Sequence, residues 1–318
     1  MIKLALFTVT YCGLWYKGKA LSLKEQIAKA SELGFDGISV ETKRPVALPC
    51  DLGKKTRKEI REYASSQEIT ICAVETMSNF AKPLIEDREN NLCMVKEAIR
   101  LADDLGADIV KVFAAWPGTS RYEGLGTYDF GRRISGFEET FATEGRRWRW
   151  AVEGIRDAAH WADEYGITIA LQNHPLVLRY GYEDALQMVG EVDTENVKLC
   201  LDVPLFENQS DRYIHEAVEA CKNVGIVHSH YGSLEFDESP SGEITKKPRS
   251  YGHTNYPAFI RELKRIGFDG FIASEECAPV VENHEYQGIE IVDRHVRVAL
   301  RYMKELVSTG EEPKILKS

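Results

Sequence analysis

The strongest constraint on the fold of this chain is a regular alternation between short apolar runs and longer segments with helical periodicity. Predicted strands cover residues 3–9, 36–41, 69–75, 107–114, 167–172, 196–202, 224–230 and 269–275, and predicted helices follow at 22–33, 54–67, 88–105, 146–165, 181–189, 212–221, 256–266 and 287–308. Eight βα units in this order predict an α/β fold, a single-domain (β/α)8 TIM barrel. Ser22 and Glu25 form a capping-box pattern at the first helix, which supports this assignment.

Two connections are longer than a βα loop normally is. Residues 115–145 follow the fourth predicted strand, and residues 232–255 follow the seventh. Both lie on the C-terminal face of the predicted barrel, where enzymes of this fold bind their substrates. The first mixes Trp, Tyr, Arg and Gly in a way that suits a cover over a ring-shaped ligand, although a plain surface excursion is the alternative. We expect residues 1–309 to form the barrel domain and residues 310–318 a tail that is frayed or bound by a partner.

Composition excludes several classes of function. The formal net charge of −10 would repel a phosphate backbone, so nucleic acid is not an expected partner. No apolar run reaches the roughly 18 residues that a membrane-spanning helix needs, and the N-terminal segment predicts a strand rather than a signal peptide. The 7 cysteines include no C-x-x-C pair, which indicates reduced thiols. We therefore expect a cytoplasmic protein that binds neither nucleic acid nor membranes.

Polar side chains stand at the ends of the last four predicted strands. These strands end in LQNH, LCLD, VHSH and IASEE, which supply Gln172, His174, Asp202, His228, His230 and Glu275. Side chains at the C-terminal ends of barrel strands face the active-site mouth. The two-residue period of a strand also puts both polar residues of the fifth strand, and both histidines of the seventh, on one face. Any one of these residues is more often a helix cap, an ion-pair member or a core histidine, but their coincidence on four consecutive strands favours a shared site.

The donor atoms of this set indicate a metal centre. An amide oxygen, two carboxylates and an imidazole, with no thiolate, are offered by Gln172, Asp202, His230 and Glu275. Sites rich in oxygen and nitrogen suit one hard or borderline divalent ion. Mn²⁺ is the most natural choice, with Mg²⁺, Co²⁺ and Zn²⁺ as alternatives.

The motifs ALQNH, LCLDV, IVHSH and GFDGFIASEECAP resemble those of the xylose-isomerase-like family of sugar isomerases and epimerases, over nearly the whole chain. This resemblance implies one divalent cation held by a glutamate from strand five, an aspartate from strand six, a histidine from strand seven and a glutamate from strand eight. The matching positions here are Gln172, Asp202, His230 and Glu275. The chain therefore departs from the family pattern at the first ligand, where it has glutamine.

Within that family, three segments are most similar to the catalytic α subunits of bacterial C-glycoside deglycosidases. They are LFTVTYCGLWYKGKALSL, FAAWPG and LQNHP. This finer resemblance implies a metal-dependent lyase that eliminates the aglycone from a 3-oxo-C-glucoside. It also implies a small β-sandwich β subunit as partner, within a higher oligomer.

The glutamine at position 172 bears on the type of reaction. A ketose epimerase removes a proton from one face and returns one to the other, and an amide accepts no proton near neutral pH. An elimination needs only one base beside the ketone, together with a cation that stabilises the enolate oxygen. We expect His174 to be that base and His228 to be its rival, because each stands two residues from a ligand position on the same strand face.

Six further residues are candidate substrate contacts on the catalytic face of the predicted barrel. They are Glu41, Lys43, Glu75, Asn79, Trp116 and Arg121, which follow strands two, three and four. We expect them to contact sugar hydroxyls or an aromatic aglycone. Solvated loop residues with occasional ion pairs are an equally good interpretation.

Other functions compete with this interpretation. One is a ketose 3-epimerase or sugar isomerase in which Gln172 is a neutral ligand and Glu275 transfers the proton. Another is a non-catalytic barrel that binds a sugar or serves as a scaffold subunit, which the missing strand-five glutamate favours. A nuclease of the AP-endonuclease type is remote, because Leu205 stands where such an enzyme needs a histidine and the chain is acidic.

Overall fold

The computed structural model describes residues 1–317 and confirms the predicted TIM barrel. The barrel strands are β1 (Lys3–Phe7), β2 (Gly37–Glu41), β3 (Thr70–Glu75), β4 (Ile109–Val112), β5 (Thr168–Gln172), β6 (Val197–Cys200), β7 (Ile226–Gly232) and β8 (Phe271–Glu275). Each strand pairs in parallel with the next one along the chain, and β1 pairs with β8. Closure of the sheet therefore gives every barrel strand two hydrogen-bonded neighbours.

Helices surround this sheet and separate the strands along the chain. They are α1 (Leu23–Leu33), α2 (Lys54–Ser66), α3 (Ile85–Leu105), α4 (Asp129–Glu138), α5 (Glu144–Asp163), α6 (Glu183–Val192), α7 (Asp211–Cys221), α8 (Tyr256–Arg265) and α9 (Ile289–Thr309). All except α4 match helices predicted from periodicity. Over residues 1–317, none of these helices combines the length and the apolar character that crossing a bilayer requires.

The start of α1 has the predicted capping box. Ser22 Oγ accepts a hydrogen bond from the Glu25 backbone N–H at 3.3 Å, and the Glu25 carboxylate accepts one from the Ser22 N–H at 2.6 Å. Gly34 follows the helix with a φ of 84°, a left-handed conformation that a side chain would strain. Local sequence therefore determines both ends of α1.

The connection after β4 has regular structure that sequence periodicity did not predict. A hairpin pairs Ser120–Tyr122 with Leu125–Thr127, and α4 follows it. Tyr128 Oη donates a hydrogen bond to the Cys277 carbonyl at 2.7 Å, which ties this connection to the loop after β8. The hairpin and α4 therefore pack over the C-terminal side of the barrel as an ordered unit.

The connection after β7 extends the fold to the end of the chain. Phe236–Glu238 pairs in antiparallel fashion with Ile244–Lys246, which also pairs in parallel with Ile315–Lys317. The expectation of a frayed tail is therefore wrong at Ile315–Lys317, because backbone hydrogen bonds hold this segment against a neighbouring strand. Ser318, the last residue of the predicted tail, lies outside the described residues.

Helix α4 presents apolar side chains to solvent. Phe130, Ile134, Phe137 and the following Phe141 are 60%, 38%, 65% and 65% exposed. Because the first three are spaced by three or four residues, they share one face of the helix. A cluster of exposed aromatic side chains is typical of a contact with another molecule.

Gly131 and Gly136 of α4 provide a matched test of how this connection packs. A Cβ added to Gly131 would lie within 2.5 Å of the carbonyl oxygens of Pro117 and Gly118, whereas one added to Gly136 meets no atom of residues 1–317 within 4 Å. Alanine normally stabilises a helix interior by about 0.5–1 kcal/mol relative to glycine. We therefore expect Gly136→Ala to slow amide hydrogen exchange in α4 and Gly131→Ala to accelerate it, as measured by mass spectrometry. Equal protection of α4 in the two variants would contradict this packing.

Candidate active site

The C-terminal ends of β5, β6 and β7 bring Gln172, Asp202 and His230 into direct contact. His230 Nδ1 lies 3.0 Å from Asp202 Oδ2, and the His230 backbone N–H donates to Asp202 Oδ1 at 2.8 Å. Gln172 Nε2 also donates to Asp202 Oδ2. All three side chains are buried. Three of the four predicted metal ligands therefore form one hydrogen-bonded cluster.

Asn173, between the two other polar residues at the end of β5, holds Asp202 in place. Its Oδ1 accepts from the Asp202 backbone N–H at 2.8 Å. Its Nδ2 donates to the carbonyls of Gly181 at 3.0 Å and of Asp202 at 3.2 Å. The amide of Asn173 therefore fixes the backbone from which the Asp202 carboxylate projects.

Charge is strongly concentrated around His230. Although burial disfavours the charged imidazole, the carboxylates of Glu75 and Asp202 raise the pKa of His230 well above its usual value. Burial likewise opposes charge on Asp202, but His230 lowers the pKa of this carboxyl group. An imidazolium between two buried carboxylates marks a point where the fold requires positive charge.

Glu75, at the end of β3, supports His230 from the side opposite Asp202. Its Oε1 lies 3.0 Å from His230 Nε2, and its Oε2 lies 3.1 Å from Lys111 Nζ. A histidine whose one nitrogen is held by a carboxylate presents the other nitrogen to a metal, as metal-binding histidines usually do. Glu75 is completely buried, so its position favours support of His230 over the predicted contact with a sugar, which stays a prediction.

Lys111 on β4 is a member of this network that sequence reasoning missed. Its Nζ lies 3.6 Å from the centroid of the Phe113 ring, in addition to its contact with Glu75. The signal is present in the sequence, where IVKVF places one lysine among the apolar residues of a strand. A buried lysine needs a charged partner, so this pattern indicates an acidic group inside the barrel.

Glu275, the fourth predicted ligand, lies farther from the cluster. At this end of the barrel, residues 1–317 contain two groups of three potential metal ligands whose ligand atoms lie within 4.8 Å of one another. One group is Cys200, Asp202 and His230, and the other is Glu75, His228 and His230. Glu275 belongs to neither group. Burial raises the pKa of Glu275, whereas His230 lowers it. The half-buried carboxylate of Glu275 is therefore electrostatically coupled to the cluster without forming part of it.

Cys200 is a second residue that sequence reasoning did not assign to the site. Its sulfur lies 3.6 Å from Asp202 Oδ1 and 3.6 Å from His230 Nδ1. Burial raises the pKa of Cys200 to about 12, with a further contribution from Asp202. Cys200 is therefore a neutral thiol at neutral pH and packs beside the cluster.

A divalent ion fits the chemistry of this cluster. Gln172 Oε1 is buried and, within residues 1–317, accepts no hydrogen bond. A buried amide oxygen of this kind is unfavourable unless a donor or a cation satisfies it. Together with the Asp202 carboxylate and the His230 imidazole, and with the Glu275 carboxylate beside the cluster, it offers the oxygen and nitrogen donors that Mn²⁺, Mg²⁺, Co²⁺ and Zn²⁺ accept.

His174 follows β5 and lies against aromatic side chains. Its ring centroid is 5.1 Å from that of Phe113 and 5.2 Å from that of Trp116. The Pro175 carbonyl accepts a hydrogen bond from His174 Nδ1–H, which leaves a lone pair on Nε2. Burial lowers the pKa of His174 to about 4, so the imidazole is neutral at neutral pH. The free Nε2 can accept a proton, and the lowered pKa makes this imidazole a weaker base than an unperturbed histidine.

His228, the rival base, lies deeper in the barrel. Its side chain is completely buried, and its Nε2 is 3.4 Å from Glu75 Oε1. Burial lowers the pKa of His228, and Glu75 partly offsets this effect. Because it precedes His230 by two residues on β7, His228 stands farther from the mouth of the barrel. The geometry thus favours His174 as the residue that meets a substrate, and both assignments stay predictions.

The remaining predicted substrate contacts lie on different loops. Glu41 is buried, and its carboxylate is 2.7 Å from Lys43 Nζ. Asn79 Nδ2 donates to the Trp116 carbonyl at 2.7 Å, so this amide links two loops. Arg121 is exposed and donates to backbone carbonyls of its own hairpin and of the loop after β1. Their contact with a substrate stays a prediction.

The chain belongs to the xylose isomerase-like TIM barrel family, whose model matches residues 27–304. This match confirms the resemblance carried by the strand-end motifs. Among curated proteins, the uncharacterised protein MJ1311 of Methanocaldococcus jannaschii is 32% identical over 122 residues, which are 36% of this chain and 38% of that protein. The matched region thus spans little more than a third of that relative.

Several solved structures share the fold over nearly the whole chain. D-Psicose 3-epimerase of Clostridium cellulolyticum H10 has a TM-score of 0.69 at 18% identity, covering 96% of this chain and 99% of that one. An IolI protein with a bound zinc atom has a TM-score of 0.66 at 19% identity, covering 97% and 99%. The 3-keto-D-glucoside 4-epimerase YcjR of E. coli has a TM-score of 0.63 at 15% identity, covering 93% and 98%. At these identities the likeness establishes the fold.

Substitution of Glu75 tests whether its carboxylate orients His230 for a metal. Glu75→Gln keeps the size of the side chain but removes its charge, so we expect the affinity for Mn²⁺ to fall about 10–100-fold in isothermal titration calorimetry. Ser39→Ala is the control, because Ser39 donates to Glu75 and its loss leaves the carboxylate beside His230. If a folded Glu75→Gln variant bound Mn²⁺ with wild-type affinity, Glu75 would not contribute to metal binding.

Proposed function

We propose that this protein is a divalent-metal-dependent enzyme that removes the proton next to the keto group of a sugar. The observation that carries the proposal is the placement of His174, which follows β5 two residues after Gln172, lies against Phe113 and Trp116, and has a free Nε2. The names of the similar structures support the substrate class, since one is a D-psicose 3-epimerase and another a 3-keto-D-glucoside 4-epimerase.

Each residue of the site has a separate task in this proposal. The ion would be held by Gln172, Asp202, His230 and Glu275, and when bound it would supply Lewis acidity at the ketone oxygen. His174 Nε2 takes the proton from the carbon beside the ketone, while its Nδ1–H stays with the Pro175 carbonyl. Phe113 and Trp116 shield the imidazole from water and offer a flat apolar surface to a ring-shaped group.

We further propose that the reaction is elimination of the aglycone from a 3-oxo-C-glucoside. Gln172 supports this, because an amide does not provide the second proton-transferring group that epimerisation needs. In the elimination, the C–H bond beside the ketone breaks, its electron pair forms a carbon–carbon double bond, and the bond to the aglycone breaks. The aglycone carbon keeps the released electron pair and takes up a proton. One base on the sugar side is therefore sufficient.

A ketose 3-epimerase or sugar isomerase is the second candidate. Glu275 favours it, because its half-buried carboxyl group lies beside the ligand cluster and burial raises its pKa. Incubation with 3-oxo-C-glucosides and with free ketoses, followed by chromatography, separates the two activities. Release of aglycone marks elimination, and formation of an epimer marks epimerisation. Binding of keto sugars without either product would indicate a non-catalytic barrel.

The proposed base is tested by exchange of solvent deuterium at the carbon beside the ketone of a 3-oxo-glucoside. Positioned proton transfer contributes about 10²–10⁴-fold, so we expect His174→Ala to lose exchange on that scale while it keeps its metal and its fold. His228→Ala is the matched comparison. If His174→Ala exchanged at the wild-type rate and His228→Ala did not, the role of base would pass to β7.

We also propose that a small β-sandwich subunit covers the exposed face of α4, within a higher oligomer. The aromatic side chains on that face and the resemblance to deglycosidase α subunits support this. Light scattering on the chain co-expressed with a β-sandwich subunit of such an enzyme is expected to show a complex that Phe137→Lys disrupts. Tyr165→Lys, which changes another exposed aromatic residue, is the control. Full catalytic competence of the isolated chain would refute dependence on a partner.

A further inference from the structure

A second cluster of metal-ligating side chains lies outside the candidate active site. Asp237 lies in the connection after β7, Glu282 follows β8, and His295 lies in α9. One potential ligand atom of each residue lies within 4.8 Å of those of the other two. Because the three residues come from separate segments, the tertiary fold is what brings them together.

His295 is the informative member of this cluster. It is 1% exposed and, within residues 1–317, neither nitrogen of its ring has a hydrogen-bond partner. Its Nε2 lies 3.7 Å from Glu282 Oε1 and 4.0 Å from Asp237 Oδ2, which is too far for hydrogen bonds. Buried polar side chains normally find a partner, so an imidazole without one indicates a missing ligand.

These separations suit ligands that surround an ion. Ligand atoms at about 2.0–2.1 Å from a tetrahedral zinc ion stand about 3.3–3.4 Å from one another. The distances of 3.7 Å and 4.0 Å from His295 Nε2 to the two carboxylates are slightly larger. Small rotations of the side chains would therefore enclose an ion without movement of the backbone.

The other nitrogen of His295 faces a carboxylate, as it does in many metal-binding histidines. Glu276 Oε2 lies 3.5 Å from His295 Nδ1, and Glu276 is completely buried. Ser233 Oγ donates to the same oxygen at 3.0 Å and so fixes the carboxylate. A carboxylate on the far nitrogen orients the ring and selects the tautomer that presents Nε2 to a metal.

The charge balance of the cluster also leaves room for a cation. Arg294 donates to Asp237 Oδ1 at 2.9 Å and to Glu282 Oε1. Lys247 Nζ lies 3.6 Å from Asp237 Oδ2, but its side chain is 49% exposed, so solvent screens its charge. These two cations face the three carboxylates of Asp237, Glu282 and Glu276. Arg294 contacts one oxygen of each carboxylate, and its partner Glu282 Oε1 is also the oxygen that lies 3.7 Å from His295 Nε2. A cation bound through Asp237 Oδ2 and Glu282 Oε2 would leave both contacts of Arg294 in place.

We propose that Asp237, Glu282 and His295 bind a second divalent transition-metal ion. One imidazole and two carboxylates are a ligand set that zinc accepts. The ion joins the connections after β7 and β8 to α9, and through Glu276 it fixes the residue next to Glu275 at the rim of the barrel. This inference does not rest on the proposed function, because the cluster is separate from the ligands on β5, β6 and β7.

The test is a titration of metal-free protein with Zn²⁺ in isothermal titration calorimetry. We expect His295→Gln to lose one equivalent of bound zinc relative to its parent, both in the wild-type chain and in an Asp202→Asn background. His215→Gln is the matched control, because His215 also pairs with a carboxylate, that of Glu262 at 2.9 Å, away from the cluster. An unchanged stoichiometry in His295→Gln would overturn the proposal. An equivalent of zinc that is lost on Asp202→Asn, and not on His295→Gln, belongs to the candidate active site.

A second variant and a spectroscopic measurement test the proposal even if His295→Gln does not fold. Asp237→Asn, at a less buried member of the cluster, is expected to weaken zinc binding at least tenfold with an unchanged circular dichroism spectrum. X-ray absorption of zinc-loaded Asp202→Asn is expected to show one imidazole nitrogen and carboxylate oxygens at about 2.0–2.2 Å. A spectrum with water oxygens alone, or with sulfur, would contradict the assignment.

Discussion

A histidine held between two buried carboxylates is the interaction on which the candidate active site depends. His230 contacts Asp202 through Nδ1 and Glu75 through Nε2, and the two carboxylates come from the ends of β6 and β3, which β4 and β5 separate in the barrel. Charges taken out of water are stable only when they are paired and hydrogen-bonded. The closed sheet makes this pairing possible, because it directs side chains from distant parts of the chain towards one axis.

The rest of the site is arranged around that interaction. Asn173 fixes the backbone of Asp202, and the ammonium group of Lys111 offsets the negative charge on Oε2 of Glu75. The orphaned amide oxygen of Gln172 and the coupled carboxylate of Glu275 then complete a set of donors suited to a divalent ion. A bound ion would take the place of the proton on the imidazolium of His230, because a histidine that ligates a metal is neutral. The carboxylates that favour that proton would equally favour the cation at this candidate metal centre.

Gln172 connects this architecture to the choice of reaction. An amide in place of a carboxylate keeps an oxygen donor for a metal but removes one site of proton transfer. His174, set among aromatic rings with one nitrogen free, offers the remaining site. In the proposed function, one base and one Lewis acid suit elimination beside a ketone better than inversion of a carbon. Under that proposal, the side chains at the end of β5 distinguish chemistries that the fold alone allows equally.

The sequence by itself determined the barrel and the rim residues, because the periodicity of apolar residues and the polar ends of strands are local properties that can be read along the chain. It identified Gln172, Asp202, His230 and Glu275 as a set, but it did not show that Glu275 stands apart from the other three. Only the tertiary structure decided that Glu75 and Lys111 support His230 and that Ile315–Lys317 form a strand. It also brought His295 among Asp237, Glu282 and Glu276. The physical reason is that these contacts join segments far apart in the chain, and their distances depend on how the closed sheet and its loops pack.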